Sequence, residues 1–229
     1  MHLPLLARSR SGVRLLLACL LLSGCAALPL PRPAAPAGAT TPSAVQAEPA
    51  RVYHRAIEIT GRLSLRYDRN GAEQAIDGKF SWNQALDMTR ITLLTPFGQT
   101  LATIEITPSG SVLRQANQPV RSEADVDTLT ASTLGWPLPV AGLRDWLQGF
   151  ARNERGALYV ATADAAGDAA WVRTADGWLI HYPVWEIDAA GPSGMPALSR
   201  PKRIDLQRQT SQAGKVALRI VIDQWQPQT

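Results

Sequence analysis

Residues 90–106 constrain the fold more than any other stretch, because they form two apolar runs joined by a short turn. The connection is Pro96-Phe97-Gly98, in which proline presets a turn and glycine accepts a positive φ. The apolar residues recur at every second position, as a β-strand requires; they are Ile91 and Leu93 in the first run, and Ile104 and Ile106 in the second. We therefore predict a β-hairpin with Phe97 at its tip.

An aromatic side chain at the tip of a turn is compatible with two roles. An exposed apolar side chain at such a position is a candidate for insertion into a membrane or a partner protein. The alternative is that Phe97 folds back onto the sheet as an ordinary core aromatic. The hairpin sequence alone favours neither role.

The chain before this hairpin predicts another pair of strands. Residues 57–67 alternate, with Leu63, Leu65 and Tyr67 on one face. Asn70-Gly71 is a strong hairpin signal, and residues 74–84 return with apolar and glycine positions on the inward face. Residues 111–115 predict a further short strand, so the first half of the domain is an antiparallel meander.

Helical spacing replaces the strand pattern at Ser122. We predict a helix capped by Ser122 and broken by residues 134–139, because Ser122 with an acidic residue three positions later resembles a capping box. A second helix is predicted to bury one face and to expose the other. The residues assigned to its buried face are Val140, Leu143, Trp146, Leu147 and Phe150, and those assigned to its exposed face are Arg144, Asp145 and Gln148.

Strand patterns resume after the helices. Four further strands are predicted at residues 170–174, 178–185, 203–209 and 215–225, and residues 191–196 are predicted to form an exposed loop. Periodicity alone thus indicates a mainly β (α+β) domain, built from a single curved antiparallel sheet with helices filling its mouth.

The amino terminus has the pattern of a secretory signal peptide. Arg8, Arg10 and Arg14 precede the apolar run 15–22, which is too short to span a bilayer, and small residues follow. These arginines account for most of the formal net charge of +4, since the other 20 basic residues are balanced by 19 acidic ones. A nearly neutral domain does not indicate a nucleic-acid-binding protein.

Residues 22–25, Leu-Ser-Gly-Cys, end the predicted signal peptide (residues 1–24) and resemble the bacterial lipobox. The resemblance implies that Cys25 is acylated and becomes the first residue of the mature protein. The alternative is an unmodified cysteine after a routine cleavage site. Two or more acyl chains would anchor the protein stably to a membrane. Ala26, at the next position, resembles the sorting signal for the outer membrane.

Residues 25–50 combine the predicted anchor with a segment rich in proline and alanine. Because this composition cannot bury a core, we predict an extended linker. At ~3.1 Å per residue, the linker would reach at most about 75 Å. The remaining residues, 51–229, are assigned to one folded domain.

Patterns typical of catalytic or metal sites are scarce. Beyond the signal peptide the histidines are His54, at the linker junction, and His181, within a predicted strand. The sequence contains no His/Cys/Asp cluster at metal-ligand spacing, no G-x-S-x-G motif, no phosphate-binding glycine loop and no evident glycosidase-type acidic pair. We expect neither an enzyme nor a cofactor.

Large aromatic residues are concentrated on the predicted inward face. In a flat sheet covered by helices they would form a solid core, which is the usual fate of such residues. In a curved sheet that is too wide for side chains to fill, they would line a lipid-sized cavity. The aromatic residues concerned are Phe80, Trp82, Trp136, Trp146, Trp178 and Tyr182.

Several motifs together resemble the LolB family of outer-membrane lipoprotein receptors. The most specific are L-G-W-P-L-P-V and L-R-D-W-L-Q-G, and the match weakens beyond residue 149. The matching segments, which follow the lipobox and the linker, are residues 61–65, 78–82, 93–98, 134–140 and 143–149.

The resemblance implies an incomplete antiparallel barrel, capped by helices, with an apolar cavity for acyl chains. Such a protein accepts acylated lipoprotein clients from a LolA-like periplasmic carrier and places them in outer-membrane lipid, without a cofactor; we expect a monomer. The predicted cavity lining is Leu63, Leu65, Phe80, Trp82, Leu93, Ile104, Trp136, Leu143, Trp146, Trp178, Tyr182 and Leu218.

The resemblance also assigns a role to the tip of the hairpin turn. In the family the projecting residue, usually leucine, promotes membrane insertion, and Phe97 keeps its apolar character. The alternative function is that of a structural or assembly-machinery envelope lipoprotein whose aromatic face is solid core.

Overall fold

The structure is a computed structural model that describes residues 50–161, 171–188, 198–211 and 213–228. These residues all belong to one compact unit, Ala47–Thr229. The predicted loop at residues 191–196 lies outside the described residues. No helix in the described part of the chain is long and apolar enough to cross a membrane.

The predicted meander is present and gains one short edge strand. The turn between the first two strands places both Asn70 (φ 54°) and Gly71 (φ 77°) in the left-handed region, as the predicted Asn-Gly hairpin requires. The strands are β1 (Ile57–Arg69), β2 (Ala72–Gln84), β3 (Thr89–Leu94), β4 (Thr100–Thr107), β5 (Gly110–Gln115) and β6 (Arg121–Glu123).

Two helices follow. The first, α1 (Val126–Leu134), begins after Asp125, whose side chain accepts a hydrogen bond from the Thr128 N–H at 2.7 Å. The prediction that Ser122 caps this helix was therefore wrong. Ser122 lies in β6, paired with Val112, and Asp125 satisfies the free N–H groups of the first turn instead.

The second helix, α2 (Val140–Trp146), is shorter than predicted. Phe150, which was assigned to its apolar face, begins the strand β7 (Phe150–Arg152) instead, and β7 pairs with β8 (Leu158–Val160). Gly149, at a φ of 79°, turns the chain between the helix and the strand. The other four residues assigned to the apolar face are buried.

The last four strands return the chain to its beginning. They are β9 (Val172–Arg173), β10 (Leu179–Asp188), β11 (Leu198–Thr210) and β12 (Gly214–Pro227). β12 pairs with β1, so Leu65 lies opposite Leu218. In β10 the register shifts between His181 and Val184, where Pro183 has no N–H to donate.

Ten of the twelve strands in the described part of the chain form one antiparallel sheet, in the order β6-β5-β4-β3-β2-β1-β12-β11-β10-β9. The sheet is not closed into a barrel, because its terminal strands β6 and β9 are not paired with each other in the described part of the chain. The predicted fold class, a curved antiparallel sheet with two short helices, is confirmed.

Two inward-facing glycines allow neighbouring strands to approach closely. A Cβ on Gly61 would collide with the carbonyl oxygen of Val221, and one on Gly78 with that of Leu94. The β1–β12 register also shifts at Gly61, which is a β-bulge. Bulges and glycines of this kind increase the local bend and twist of a strand.

The residues before β1 form a strap, Ala50–Ala56, that runs beside α2. The Tyr53 hydroxyl donates a hydrogen bond to Asp145 Oδ1 at 2.9 Å, and the His54 N–H donates to Gln148 Oε1 at 2.7 Å. Asp145 also pairs with Arg152 at 2.7 Å. The prediction that Asp145 and Gln148 face away from the core was therefore wrong, since both are buried beneath the strap.

A carboxylate on α1 caps α2. Pro139 precedes α2 and provides no side-chain cap, but Asp127 Oδ1 accepts a hydrogen bond from the Ala141 N–H at 3.1 Å. The Thr130 hydroxyl adds a bond to the Leu138 carbonyl at 3.2 Å. These two contacts join α1, α2 and their connection into one cover over the sheet.

Replacing Asp127 by alanine removes the acceptor for α2, and we expect a loss of about 1 kcal/mol in the free energy of unfolding, measured in urea. Asp127→Asn retains an acceptor oxygen without the charge, so its stability at acidic pH should match that of the parent protein. An alanine variant as stable as the parent would contradict the capping role.

The same pair of variants tests the pH dependence. Burial raises the pKa of Asp127, as do the charges of Asp125 and Asp176, while hydrogen bonds from Ala141 and Val140 oppose the shift. A raised pKa means that the folded protein is more stable when Asp127 is protonated. This contribution to the free energy of unfolding is complete below the ordinary carboxyl pKa and is lost as the pH rises through the raised pKa. Asp127→Asn should therefore become more stable relative to the parent protein between acidic and neutral pH, and parallel stability curves would contradict this.

Candidate functional site

An apolar cavity lies between the inner face of the sheet and the helices. Its volume is about 20 Å³, which is little more than one water molecule needs. Leu138, Leu143 and Leu147 cover it on the helix side. Six of the residues predicted to line a cavity lie in its wall: Leu63, Phe80, Trp82, Leu93, Leu143 and Leu218.

A larger pocket of about 220 Å³ adjoins this cavity, and we call it the mouth pocket. Leu63 and Leu93 line both spaces, and Trp136, another residue predicted to line a cavity, lies in the wall of the mouth pocket. The rest of the apolar wall comes from β2, β3, β4 and α1: Ile76, Gly78, Leu94, Leu101, Ala102 and Leu134. The mouth pocket thus continues the apolar interior toward the surface.

Three polar side chains also line the mouth pocket: Lys79, Gln115 and Thr133. The Thr133 hydroxyl oxygen is buried and has no hydrogen-bond partner among the described residues. A buried hydroxyl without a partner is unfavourable, and it gains most from a ligand that supplies an acceptor. None of these three residues was predicted, because in the sequence they are ordinary surface-type residues.

The other five predicted lining residues lie outside the walls of both spaces. Leu65, Ile104, Trp146 and Trp178 are almost fully buried, and the rings of Trp146 and Trp178 lie 6.3 Å apart. Tyr182 is partly exposed, and its hydroxyl donates a hydrogen bond to the Trp146 carbonyl at 3.0 Å. Burial raises the pKa of Tyr182 above its ordinary value.

Sequence reasoning missed four residues of the cavity wall. Ile91 and Ile220 lie on strand faces that alternation assigned inward, and Leu147 lies on the predicted helix face. Leu138 belongs to the segment that was treated only as a helix break. The sequence pattern therefore predicted the inward orientation of all these residues except Leu138. It did not predict where between the sheet and the helices the unfilled space lies.

The β3–β4 turn carries Phe97 at its tip. The Gly98 N–H donates to the Thr95 carbonyl at 2.9 Å, and the Thr95 N–H donates to the Gln99 carbonyl at 2.8 Å. Gly98 has a φ of 90°. The Phe97 side chain is 94% exposed, so it does not fold back onto the sheet.

The Phe97 turn lies beside the mouth pocket. Leu94, just before the turn, and Leu101, just after it, both line that pocket, and Leu101 is itself 44% exposed. Phe97 and the mouth pocket therefore lie at the same end of β3 and β4. The membrane role of Phe97 remains a prediction.

Neither of the two histidines considered as catalytic candidates, His54 and His181, lies in a candidate catalytic site. The His54 ring packs edge-on against Trp225 at 5.1 Å, and the His181 ring packs against Trp171 at the same distance. Burial lowers the pKa of His54. Within the described residues, no group of three or more His, Cys, Asp or Glu side chains could hold a metal ion.

Residues 1–49 lie outside the described residues. The predicted signal peptide, the acylated Cys25 and most of the predicted linker are therefore predictions from sequence only. The described structure begins at Ala50, where the strap meets β11 through a hydrogen bond from the Ser199 N–H to the Ala50 carbonyl at 2.9 Å.

Comparisons with known proteins agree with the motifs. The family model of the outer membrane lipoprotein LolB matches residues 55–225. The outer-membrane lipoprotein LolB of Cupriavidus taiwanensis is 41% identical over 172 residues, covering 75% of this chain and 80% of that protein. The protein of the same name from Ralstonia nicotianae is 35% identical over 221 residues, covering 95% and 98%.

Among solved structures, a LolA superfamily protein from Nitrosomonas europaea aligns with 78% of this chain and 89% of its own, at a TM-score of 0.39 and 9% identity. That similarity is too low to support a functional argument. The family model and the close relatives are sufficient by themselves. The chain therefore belongs to the outer-membrane lipoprotein LolB family, which confirms the resemblance that its motifs indicated.

Proposed function

We propose that this protein is an outer-membrane receptor for lipoproteins. After removal of residues 1–24 it is anchored through acylated Cys25, and residues 26–50 link the anchor to the domain. The domain accepts acylated lipoproteins from a LolA-like periplasmic carrier and transfers them to outer-membrane lipid. The observation that carries the proposal is the apolar interior, which reaches the surface beside an exposed aromatic turn in a member of the LolB family.

The energetics of acyl chains explain why such a receptor needs an apolar interior. Each buried methylene contributes about 0.8 kcal/mol, so a chain of ~16 carbons corresponds to roughly 12 kcal/mol. A client with several such chains cannot cross water at a useful rate. Its chains must pass from the interior of the carrier directly into the interior of the receptor.

The interior in this structure is nearly closed. Pockets that bind small molecules usually have volumes of about 300–1,000 Å³, whereas the cavity and the mouth pocket enclose about 20 and 220 Å³. To admit an acyl chain, the cover formed by α1 and α2 must move away from the sheet. The contacts of Asp127 and Thr130 link α1 to the start of α2, so these two parts of the cover would move together.

A closed resting state also gives the transfer a direction. Opening the cover exposes apolar surface of the sheet and the helices, which is unfavourable in water. Part of the binding energy of the acyl chain is therefore used to hold the domain open. The chain is then less stable in the receptor than in a bilayer, so release into the membrane is favoured.

The Phe97 turn brings the mouth to the membrane. Burying an aromatic side chain of this size in lipid contributes about 1.5–3 kcal/mol. Because Leu94 and Leu101 connect the turn to the mouth pocket, insertion of Phe97 places the mouth at the lipid surface. A chain that leaves the interior then enters the bilayer without crossing water.

One observation favours a second candidate function. The small volume of the cavity between the sheet and the helices is what a structural or assembly-machinery lipoprotein with a solid core would show. Such a protein would bind neither fatty acids nor acylated clients. Binding of a fatty acid to the domain therefore separates the two functions.

Saturable binding of a fatty acid tests the proposed receptor function. A fluorescent fatty acid should bind the purified domain saturably, and Ala102→Phe should weaken binding at least about tenfold by filling the mouth pocket. Ala102 faces the pocket, whereas Thr103 is the next residue on the opposite face of β4. The matched control Thr103→Phe should therefore bind like the parent protein. Absence of saturable binding in the parent protein would support the solid-core function.

Binding of the domain to lipid vesicles tests the proposed membrane role of Phe97. Phe97→Glu should weaken the association of the soluble domain with neutral lipid vesicles by about tenfold or more, because a buried aromatic contribution of 1.5–3 kcal/mol is lost. Phe97→Leu, which keeps an apolar side chain, should retain most of the association. Fatty-acid binding should be equal in all three proteins. Equal vesicle binding by the glutamate variant, measured by flotation, would remove the membrane role of Phe97.

A further inference from the structure

The amino-terminal half of β2 has an edge next to the mouth pocket with which no second described strand pairs. β2 contains 13 residues, but β3 pairs only with Lys79–Gln84. β3 ends at Leu94, where the chain enters the Phe97 turn. Residues Ala72–Gly78 pair with β1 on one side, and no other described strand pairs with them on the other side.

Register identifies the backbone groups on this edge. Arg69 and Ala72 close a two-residue hairpin, and such a closing pair is hydrogen-bonded to each other. The partners of β1 therefore alternate, and the N–H and C=O groups of Glu73, Ala75 and Asp77 point away from β1. The same alternation predicts that the N–H of Asp68, which lies opposite Glu73, points away from β2. It does so, because it donates a hydrogen bond to the Ala213 carbonyl at 3.0 Å.

These three residues are accessible. Glu73, Ala75 and Asp77 are all exposed residues, and none of them makes a backbone hydrogen bond to a turn or loop in the described part of the chain. An edge that offers free N–H and C=O groups is the usual site for the addition of a strand from another chain.

The edge begins where an acylated ligand would leave the interior. Ile76 and Gly78, on the same half of β2, line the mouth pocket together with Thr133. The unpartnered Thr133 hydroxyl is a suitable donor for an ester carbonyl at the head of an acyl chain. A peptide attached to that head group would emerge beside Gly78.

We propose that the extended peptide that follows the acylated cysteine of a client adds a strand to the free edge of β2 at Glu73–Asp77. The proposal rests on the receptor function above. Pairing through main-chain groups requires no particular side chains, which suits a receptor for clients of different sequence. At ~3.4 Å per residue, the edge from Glu73 to Asp77 accommodates about five residues of the client.

The charges on the edge disfavour a second copy of this chain as the occupant. Antiparallel pairing of two such edges about Ala75 would place Glu73 of one copy opposite Asp77 of the other. Like charges directly opposite each other destabilise a strand pair. Acidic side chains on an exposed edge are also a known means of preventing edge-to-edge association.

The test compares three probes with an identical acylated cysteine. The first is the acylated cysteine amide alone, the second carries about eight further residues without proline, and the third carries an equal number of sarcosines, which have no N–H to donate. By displacement of a fluorescent fatty acid, the second should bind the parent protein about tenfold more tightly than the first. The third should bind like the first.

A pair of variants at one position locates the effect. Ala75→Pro removes an N–H from the free edge and leaves the β1 ladder intact, because proline is tolerated where its nitrogen faces away from a partner. In Ala75→Pro the advantage of the second probe should disappear, while the acylated cysteine amide binds unchanged. Ala75→Val retains the N–H, and it should retain the advantage.

Amide hydrogen exchange on the parent protein gives an answer that does not depend on the folding of a variant. The amides of Glu73, Ala75 and Asp77 should become protected with the second probe and not with the first. Equal affinity of the first two probes, or an advantage that persists in Ala75→Pro, would overturn the proposal while leaving the receptor function intact. If the acylated cysteine amide fails to bind at all, the receptor function fails as well. Dimerisation of the parent protein that Ala75→Pro abolishes would assign the edge to a second copy.

Discussion

The burial of one apolar sheet face beneath two short helices determines the rest of this structure. The sheet presents apolar residues from most of its strands, but the helices that cover it have only nine and seven residues. They bury most of the face, leaving the cavity of about 20 Å³ and the mouth pocket of about 220 Å³. Because so small a cover closes so wide a face, the interior can be exposed without breaking the sheet. The pairing of β1 with β12 makes the sheet continuous independently of the helices.

The strap and the contacts between the helices hold different parts of the cover. The carboxyl-terminal end of α2 is held by the strap through buried Asp145 and Gln148. α1 and the start of α2 are held to each other, through Asp127 and Thr130, more than to the strap. The mouth pocket, which contains Thr133 and Leu134 of α1, lies beside the Phe97 turn and the free edge of β2, so the proposed opening would take place at this end. The acyl chain, the membrane and the peptide of a client would then meet at one end of the domain.

Much of the fold could be predicted from local patterns. Alternation identified the long strands and their inward faces, and Asn70-Gly71 fixed the first hairpin, because both signals depend on neighbouring residues. The wrong predictions concern residues whose burial or pairing depends on contacts with distant parts of the chain. Asp145 and Gln148 read as exposed in an amphipathic pattern, but they satisfy strap groups more than ninety positions earlier. Ser122 and Asp125 both precede the first apolar residue of α1, and only the pairing of β5 with β6 excludes Ser122. The same limit applies to the interior, where Leu63 and Leu65 share a face although only Leu63 borders the unfilled space.

The movement of the cover is the central claim, and a distance measurement tests it most directly. Spin labels at Ser132 on α1 and at Asn83 on the outer side of β2, both exposed positions, report the separation of the cover from the sheet by pulsed electron resonance. Saturation with a fatty acid should shift this separation to longer distances by several ångström, and removal of the fatty acid should restore it. An unchanged distance in protein that carries a stoichiometric amount of bound fatty acid would contradict the account.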